Sequence, residues 1–490
     1  MLNTIWHNIV IIHTWTMNNI LWINILLSIA IVFFQRREPS SVWAWLLVLN
    51  CIPIVGFFLY LLLGQDMHKN HMFRVKGIED EINLAIKAQT DTFEHKQFSF
   101  KNKKLNSFLD LVLHNVKYGA FFSDNNSVDI ITDGNKKFEQ LLADINTATK
   151  YIHIQYYIIK PGEPFDRILE ALKQKASEGV EVRLLVDAMG GRFMSKKYIK
   201  KIKSYGIKVG IFFPAFLGKF QLRVNYRNHR KLVIIDGKYS YVGGFNIGSE
   251  YIGLDPKFGY WRDTHLRVQG NAIHELQARF ALDWNYATKE NLLINEKYFE
   301  ATSPTNGNVP MQIISSGPDS KKPLIRDNYL RLLSKAKKSI YIQTPYFVPD
   351  DTFLDTLKIV AESGVDVRIM IPCKPDHPFV YWATYSFIGD MLASGVKCYT
   401  YDNGFLHAKG IMIDGLVSSY GSANMDCRSF KLNFEVNAVI YDADITSHLE
   451  DIFLTDLKEH CTEITPYRYS QRSLLIKFKE QISRLLTPVL

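Results

Sequence analysis

The chain has 490 residues, of which 47% are hydrophobic and 22% charged, a composition typical of a globular protein long enough for more than one domain. Its formal net charge of +9 favours an anionic partner, such as a nucleic acid, a phosphorylated substrate or an acidic membrane surface. Neither a disulfide framework nor a structural zinc site is expected, because the five cysteines are scattered and lack the spacing of metal ligands: Cys51, Cys373, Cys398, Cys427 and Cys461.

Two apolar segments lie near the N-terminus. The first covers residues 20–34, with apolar character reaching back to Ile9, and the second covers residues 42–63. Each is long enough to cross a bilayer, and a short charged turn at residues 35–41 joins them. We therefore predict a transmembrane hairpin rather than a cleaved signal peptide, with a hydrophobic hairpin inside a soluble core as the alternative.

The positive charges that flank these segments predict the orientation. A hairpin leaves Met1 and the large C-terminal part on the same side of the membrane. The second segment is followed by three basic residues, whereas the turn contains two and none precedes the first segment: Lys69, Arg74 and Lys76, against Arg36 and Arg37. This bias predicts a multi-pass protein of the cell membrane with its C-terminal part on the cytoplasmic side.

Beyond residue 126 the chain repeats itself. The first copy has a predicted strand at 128–132, a helix that ends near 148 and a second strand at 151–155. The second copy has the same series, with a strand at 309–315, a helix that ends near 337 and a strand at 340–343. The pentapeptide Gly-Val-Glu-Val-Arg at 179–183 likewise recurs as Gly-Val-Asp-Val-Arg at 364–368, and residues 205–209 match 394–398. Strands that alternate with helices predict an α/β architecture formed twice, with mostly parallel sheets and a pseudo-two-fold axis between the halves.

These patterns divide the chain into four parts. We predict a transmembrane hairpin at 1–65, a linker or accessory segment at 66–125, a first repeat at 126–305, and a second repeat with a C-terminal amphipathic helix at 306–490.

Each repeat ends in the same group of polar residues. The first has His229, Lys231 and Asp236, followed by Gly-Gly-Phe-Asn246; the second has His407, Lys409 and Asp414, followed by Gly-Ser-Ala-Asn424. Side chains two residues apart lie on one face of a strand, so the histidine and lysine of each copy project together. If the halves meet at an axis, two imidazoles and two ammonium groups converge on one cleft.

Cleavage of a phosphodiester requires such a set of groups. One neutral histidine can attack phosphorus while the other, in its protonated form, supplies a proton to the leaving oxygen. The lysines, with Asn246 and Asn424 as neutral donors, can stabilise charge on the non-bridging oxygens. Opposite roles require environments that push the two histidine protonation states apart, and acidic residues downstream, Asp263 and Glu435, are candidates for orienting the rings. Neither a metal nor another cofactor is expected.

The doubled pattern H-x-K-x4-D-x6-G-[GS]-x-N resembles the paired signature of the phospholipase D superfamily, and the resemblance covers the chain after about residue 126. It implies that His229 is the nucleophile and that His407 is the general acid and base. It also implies a crosswise arrangement, with Glu435 on His229 and Asp263 on His407. Asp236 and Asp414, which complete the catalytic signature, are implied mainly to hold the site together.

His265, close to Asp263 in the sequence, has two interpretations. It is either a third catalytic base or a packed residue beside the Trp-Arg-Asp cluster at 261–263, and the second is the commoner role for such a histidine.

The motif predicts the reaction type but leaves the substrate open. Arg36-Arg37-x-Pro39, Ala44-Trp45-Leu46-Leu47 and residues 483–488 resemble bacterial cardiolipin synthases in particular. That resemblance implies transfer of a phosphatidyl group from one phosphatidylglycerol to another, which gives cardiolipin and glycerol through a phosphohistidine. A hydrolytic phospholipase D or other phosphodiesterase and a non-catalytic lipid-binding scaffold are the alternatives. No nucleic-acid partner is expected, because aromatic residues are not interleaved with the basic ones.

Two further segments suit a lipid surface. Residues 211–217 are either an aromatic loop that enters the headgroups or a buried strand end. Residues 473–486 form either an interfacial amphipathic helix or an ordinary helix packed on a core. We therefore expect phosphatidylglycerol and anionic membrane lipid as partners, and the sequence leaves the oligomeric state open.

Overall fold

The computed structural model describes residues 2–34, 39–63, 79–94, 98–214, 225–300, 305, 307–320 and 322–487. It divides into two compact units, one formed by residues 1–69 with 215–226 and the other by residues 70–214 with 227–488. Residues 35–38 of the predicted turn lie outside the described residues, as do Phe216 and the basic residues used to predict the orientation: Arg36, Arg37, Lys69, Arg74 and Lys76. The rest of the predicted turn, residues 39–41, belongs to a helix.

The smaller unit consists of apolar helices: α1 (Leu2–Phe34), α2 (Pro39–Cys51) and α3 (Pro53–Leu63). A buried asparagine holds them together. The Asn24 side-chain amide of α1 donates to the carbonyl oxygens of Leu49 at 2.7 Å and Pro53 at 2.9 Å. Because these carbonyls lie where α2 gives way to α3, one polar side chain fixes α1 to the break between the other two helices.

This break corrects the sequence-based prediction of a transmembrane hairpin. The second apolar segment is divided at Ile52, before Pro53, into helices of 13 and 11 residues, since proline lacks the N–H that a continuous helix needs there. Among the helices that the structure describes, none combines the length and apolar character required to cross a membrane. The transmembrane hairpin and the multi-pass topology are therefore not supported.

The larger unit contains both repeats. Two helices precede them: α4 (Glu79–Glu94) and α5 (Leu109–Lys117). The first repeat follows in chain order: β1 (Phe122–Ile131), α6 (Gly134–Asn146), β2 (Tyr151–Tyr156), α7 (Phe165–Ser177), β3 (Glu181–Asp187), α8 (Lys196–Ser204), β4 (Lys208–Phe212), β5 (Arg227–Asn228), β6 (Leu232–Ile235), β7 (Tyr239–Gly243), β8 (Trp261–Arg262), β9 (His265–Gln269) and α9 (Ala272–Thr288).

The second repeat presents corresponding elements: β10 (Val309–Ser316), α10 (Leu324–Lys335), β11 (Ser339–Gln343), β12 (Phe347–Val348), α11 (Asp351–Glu362), β13 (Asp366–Pro372), α12 (Pro378–Ala393), β14 (Lys397–Tyr401), β15 (Phe405–Leu406), β16 (Gly410–Ile413), β17 (Val417–Gly421), β18 (Met425–Asp426), α13 (Cys427–Lys431), β19 (Asn433–Ile440), α14 (Ala443–His460), β20 (Cys461–Glu463), α15 (Pro466–Ser470) and α16 (Leu474–Leu485).

One large sheet runs through both repeats. Over the described residues its order is β20-β14-β13-β11-β16-β17-β19-β10-β1-β9-β7-β6-β2-β3-β4. The antiparallel pair β1 and β10 lies in the middle, with Phe122 opposite Gln312. Outward from this pair, and apart from β20, corresponding strands of the two repeats follow in the same order. The predicted α/β architecture with two repeats is confirmed.

Strand direction departs from the prediction of mostly parallel sheets. Parallel pairs in the described sheet are confined to the β2-β3-β4 and β11-β13-β14 series, where helices provide the crossovers, and to the short pair of β5 with β19. The motif segments form antiparallel hairpins instead, β6 with β7 and β16 with β17. Two residues suffice to reverse an antiparallel pair, so no crossover helix is needed there.

Each hairpin turn is formed by the aspartate and glycine of the motif. Asp236 and Gly237 have φ values of 52° and 64°, and Asp414 and Gly415 have values of 57° and 64°. Two positive φ values in a row characterise a type I′ turn, which favours Asp-Gly. The Asp236 carboxylate accepts N–H groups of residues 149–151 at 2.7–2.9 Å, and Asp414 likewise accepts those of residues 337–339. Each carboxylate thus fixes the start of β2 or β11.

We expect Asp236→Ala to lower the free energy of unfolding by about 2 kcal/mol, because backbone donors lose a charged acceptor and alanine disfavours positive φ. Asp236→Asn should cost less, since asparagine tolerates this conformation and retains an acceptor. Thermal unfolding of the full chain measures the effect, with the exposed Asp124→Ala as control. Equal melting of Asp236→Ala and the control would contradict the structural role of the turn.

Candidate active site

Short strands exchanged between the repeats position the two motif histidines. Strand β5 of the first repeat pairs in parallel with β19 of the second, and β15 of the second pairs with β8 of the first. The backbone N–H of His229, directly after β5, donates to Phe434 O at 3.0 Å, and that of His407, directly after β15, donates to Arg262 O at 2.7 Å. Each histidine is therefore held against the opposite repeat.

This exchange places a carboxylate beside each imidazole. His229 Nδ1 lies 2.9 Å from Glu435 Oε1, and His407 Nδ1 lies 2.6 Å from Asp263 Oδ2. Both carboxylates are buried. A carboxylate on Nδ1 favours the tautomer that carries a proton there, which leaves Nε2 with a lone pair for attack or for accepting a proton.

The two carboxylates have different surroundings. Glu435 accepts further hydrogen bonds from Ser422 Oγ at 2.5 Å, Ser429 Oγ at 3.0 Å and Asn433 Nδ2 at 3.2 Å. Burial by itself would raise the pKa of Glu435, but the charges of His229 and Lys231 and these donors together lower it. An anionic Glu435 is the result.

The small residue beside Asp263 is Gly244, at the position where the other repeat has Ser422 beside Glu435. A Cβ on Gly244 would come within 2.0 Å of Asp263 Oδ1, so this position leaves space for the carboxylate. Thr264 N donates to Asp263 Oδ1 at 2.7 Å. Burial opposes ionisation, yet the positive charge of Lys409 and the contact with His407 lower the pKa of Asp263.

The motif lysines are buried directly beside the histidines. Lys231 Nζ donates to His229 O at 2.6 Å, and Lys409 Nζ donates to His407 O and lies 2.8 Å from His407 Nδ1. Burial lowers the pKa of Lys231 to about 7 and that of Lys409 to about 8, although Glu435 and Asp263 favour their charged forms. Entry of an anion shifts both lysines toward the ammonium form.

The surroundings lower the pKa of both histidines. Burial lowers the pKa of His229 against the opposing charge of Glu435, and burial together with Lys409 lowers the pKa of His407 to about 4. A nearby phosphodiester anion favours the protonated form of an imidazole.

The motif asparagines line the same cavity, of about 240 Å³, as the two histidines. Asn246 Nδ2 donates to Tyr251 OH at 3.0 Å, and Asn424 Nδ2 donates to Asp426 Oδ2 at 3.1 Å. An amide nitrogen carries two protons, so each asparagine keeps one N–H for a phosphate oxygen.

Three other predicted residues lie away from this cavity. Asp236 and Asp414 occupy the hairpin turns at the far ends of β6 and β16. His265 is fully buried among aromatic rings, and neither ring nitrogen has a hydrogen-bond partner within the described residues. Burial and the charge of Lys137 lower its pKa well below the usual value. The geometry favours a packed residue over a third base.

Several cavity residues did not emerge from the sequence. Tyr157 and Trp261 place aromatic rings 5.0 and 5.1 Å from the rings of His229 and His407, and Arg227 and Arg428 also line the cavity. A position-by-position comparison of the repeats would have singled out the arginines, because the matching positions hold Phe405 and Glu250.

The family model "Cardiolipin synthase, PLD-like domain" matches residues 141–284 and 329–457, and the model "Phospholipase_D-nuclease N-terminal" matches residues 20–65. A solved structure, the phosphatidylserine synthase of Haemophilus influenzae Rd KW20, aligns with a TM-score of 0.57 over 74% of this chain and 92% of its own, at 15% identity. At that identity the likeness shows the fold alone.

Curated relatives match nearly the whole chain. The major cardiolipin synthase of Bacillus subtilis (strain 168) is 51% identical over 471 residues, which are 96% of this chain and 97% of the relative. The cardiolipin synthase of Oceanobacillus iheyensis is 50% identical over the same shares, and cardiolipin synthase 2 of Staphylococcus epidermidis is 48% identical over 96% of each chain. With its doubled motif, two-repeat fold and full-length relatives, the chain belongs to the cardiolipin synthase family of the phospholipase D superfamily.

Proposed function

We propose that the protein transfers a phosphatidyl group from one phosphatidylglycerol to a second, forming cardiolipin and glycerol through a phosphohistidine on His229. The supporting observation is the pair of histidines in one cavity, each held by a carboxylate of the opposite repeat, at 2.9 Å for His229 and 2.6 Å for His407. In this interpretation the halves are related by a pseudo-two-fold axis near the β1 and β10 pair.

In the first half-reaction, Nε2 of neutral His229 attacks the phosphorus of the donor lipid. The N–P bond forms, the bond from phosphorus to the glycerol oxygen breaks, and protonated His407 gives its proton to that oxygen. Lys231 and Lys409, with the amides of Asn246 and Asn424, stabilise the charge on the non-bridging oxygens. Fixed cations and amide donors thus provide the electrostatic stabilisation for the transfer.

The second half-reaction runs the same steps with a new alcohol. His407, now neutral, takes the proton of a hydroxyl on the second phosphatidylglycerol as its oxygen attacks phosphorus. The new O–P bond forms, the N–P bond breaks, and His229 is neutral again. Because the acceptor and the departing glycerol both present a primary hydroxyl, one acid and base serves both steps.

An exposed apolar face on α16 supports a lipid substrate. Leu474, Leu475, Phe478 and Leu485 are exposed, Leu474 by 83%, whereas Glu480 of the same helix is only 1% exposed. Arg472 Nε pairs with the Glu480 carboxylate at 2.8 Å. We propose that the exposed apolar face rests on the membrane surface.

The other predicted lipid-facing segment is a buried strand end where it is described. The rings of Phe212 and Phe213 are buried and lie 5.3 and 5.9 Å from the ring of Phe434. Membrane contact is therefore proposed through α16.

His229→Ala should abolish the covalent intermediate and lower kcat by a factor of about 10⁴ or more, because it removes the proposed nucleophile. His407→Ala should slow both half-reactions but still permit some phosphoenzyme when the leaving group has a low pKa. Rapid quench with lipid labelled at phosphorus measures the intermediate. Label trapped on His407 in the His229 variant would reverse the assignment.

The rate should decrease on the alkaline side because the lysines lose their charge. The pKa of Lys231 is lowered to about 7 and that of Lys409 to about 8, so both are ammonium groups below these values and become neutral as the pH rises through them. We expect kcat/KM to fall between about pH 7 and 9. The Lys231→Arg variant should retain its charge and keep a flatter profile on this side. A wild-type profile that stays level to pH 9.5 would argue against the lysines as charge donors.

Transfer should depend on two lipid molecules. Diluting phosphatidylglycerol with a neutral lipid at constant total surface should lower the rate of cardiolipin formation faster than in proportion, because donor and acceptor are both diluted. Product analysis of vesicles with purified enzyme measures this dependence, and added glycerol should slow or reverse the reaction. Predominant phosphatidic acid would instead favour a hydrolytic phospholipase D.

A further inference from the structure

The proposed acceptor brings a second phosphate into the cavity. In phosphatidylglycerol the reactive hydroxyl and the lipid's own phosphate are attached to the two ends of a three-carbon glycerol. When that hydroxyl attacks the phosphohistidine, a non-reacting phosphate must lie close to the reacting one. Two anions at this separation repel each other, so the cavity needs cations beyond those that stabilise the reacting phosphorus.

Arg227 and Arg428 have the required position. Both line the cavity that contains His229 and His407. Arg227 lies in β5, two residues before His229, and Arg428 lies in α13, four residues after Asn424. The Tyr157 hydroxyl, whose ring contacts His229, shares a hydrogen bond with Arg227. Burial lowers the pKa of Arg428; the charge of Asp426 opposes this shift and the charge of Arg227 adds to it, so the two guanidinium groups act on each other.

These arginines break the symmetry of the site. The matching positions of the other repeat hold Phe405 and Glu250. Glu250 cannot replace the missing cation, because it is an anion that is already paired with Lys160 Nζ at 2.6 Å. Each repeat contributes one motif lysine, Lys231 or Lys409, as a symmetric reacting centre requires. The arginine pair, in contrast, occurs on the His229 side only. A pair of cations that occurs on one side of the cavity suits a phosphate that only the acceptor brings to that side.

Asn433 adds an unused acceptor next to the arginines. It lies opposite Arg227 in the β5 and β19 register and lines the cavity. Its Nδ2 donates to Glu435 Oε1 at 3.2 Å, which fixes the amide, while its buried Oδ1 has no hydrogen-bond partner in the part of the chain that the structure describes. A glycerol hydroxyl is a donor of suitable size for this oxygen.

Two carboxylates on the cavity wall have hydrogen-bond partners of their own. Asp426 accepts hydrogen bonds from Ser429 N at 2.7 Å and Asn424 Nδ2 at 3.1 Å, and its charge also favours the charged form of Arg428. Asp376 accepts from the Tyr346 hydroxyl and from His377 N. Both carboxylates repel a phosphate from their immediate surroundings, whereas the two arginines attract one.

We propose that Arg227 and Arg428, together with Asn433, form a subsite for the non-reacting phosphate and glycerol of the acceptor lipid. The inference rests on the proposed phosphatidyl transfer. It assigns the arginines to selection of the acceptor, whereas the donor phosphate is bound by the motif residues. A planar guanidinium can present two N–H groups to one phosphate, so a pair of them selects a phosphorylated alcohol over a neutral one.

Competition between two soluble acceptors tests this assignment. The purified full-length enzyme, in vesicles of phosphatidylglycerol and a neutral lipid, is given labelled glycerol and labelled glycerol phosphate at equal concentration. The wild type should transfer preferentially to glycerol phosphate. Arg227→Gln and Arg428→Gln should each lower that preference by about tenfold or more, which is the effect of losing a charge-assisted hydrogen bond. Cardiolipin formation should fall with the preference, while glycerol exchange stays near the wild-type rate.

One control variant and two replacement variants accompany this experiment. Arg167→Gln, on the exposed face of α7 where the arginine pairs with Glu139, should change neither acceptor. If a glutamine variant does not fold, as judged by its melting temperature, Arg227→Lys and Arg428→Lys replace it, and a lowered acceptor ratio is again expected because lysine lacks the planar fork. An unchanged ratio, or equal loss with both acceptors, would overturn the subsite. Absence of glycerol exchange in the wild type would instead refute the proposed transfer itself.

Discussion

The site depends on the exchange of short strands between the two repeats. Because β5 pairs with β19 and β15 pairs with β8, each histidine and its carboxylate come from opposite halves of the molecule. The backbone hydrogen bonds of His229 to Phe434 and of His407 to Arg262 fix each histidine to a strand of the opposite repeat. A site formed in this way requires both halves to be folded and joined, and the antiparallel contact of β1 with β10 provides that connection.

Burial then determines the electrostatics. Removing two lysines and two carboxylates from water costs several kcal/mol per charge unless they face one another, so the mutual placement of Lys231, Lys409, Asp263 and Glu435 is required for the cavity to be stable. The balance leaves lysine pKa values of about 7 and 8. These groups respond strongly to an entering phosphate, and the ligand therefore completes the charge pattern on which its own reaction depends.

The sequence predicted that the motif histidines and asparagines meet in one cleft, because a repeated motif encodes them locally. Residues such as His229 and Lys231 follow from strand periodicity, and the double occurrence implied a shared cleft. The antiparallel pairing of the motif hairpins was missed because apolar runs do not encode strand direction. The transmembrane hairpin is not supported among the described helices, and hydropathy over 42–63 does not show how Pro53 divides the second segment. Arg227 and Arg428 were missed because their positions have no shared residue type in the two repeats.

The unequal carboxylate surroundings also restrict how the two halves can diverge. Glu435 is held by hydroxyl and amide donors, Ser422 among them, whereas Asp263 occupies the space that Gly244 leaves open. Replacing Asp263 with glutamate, or Glu435 with aspartate, would require a simultaneous change at the small residue beside it, Gly244 or Ser422. Single substitutions therefore pass through a clash or an unsatisfied buried charge. A duplicated ancestor that had acquired these unequal surroundings could not easily return to two interchangeable halves, so the asymmetry of the interior tends to persist through further sequence change.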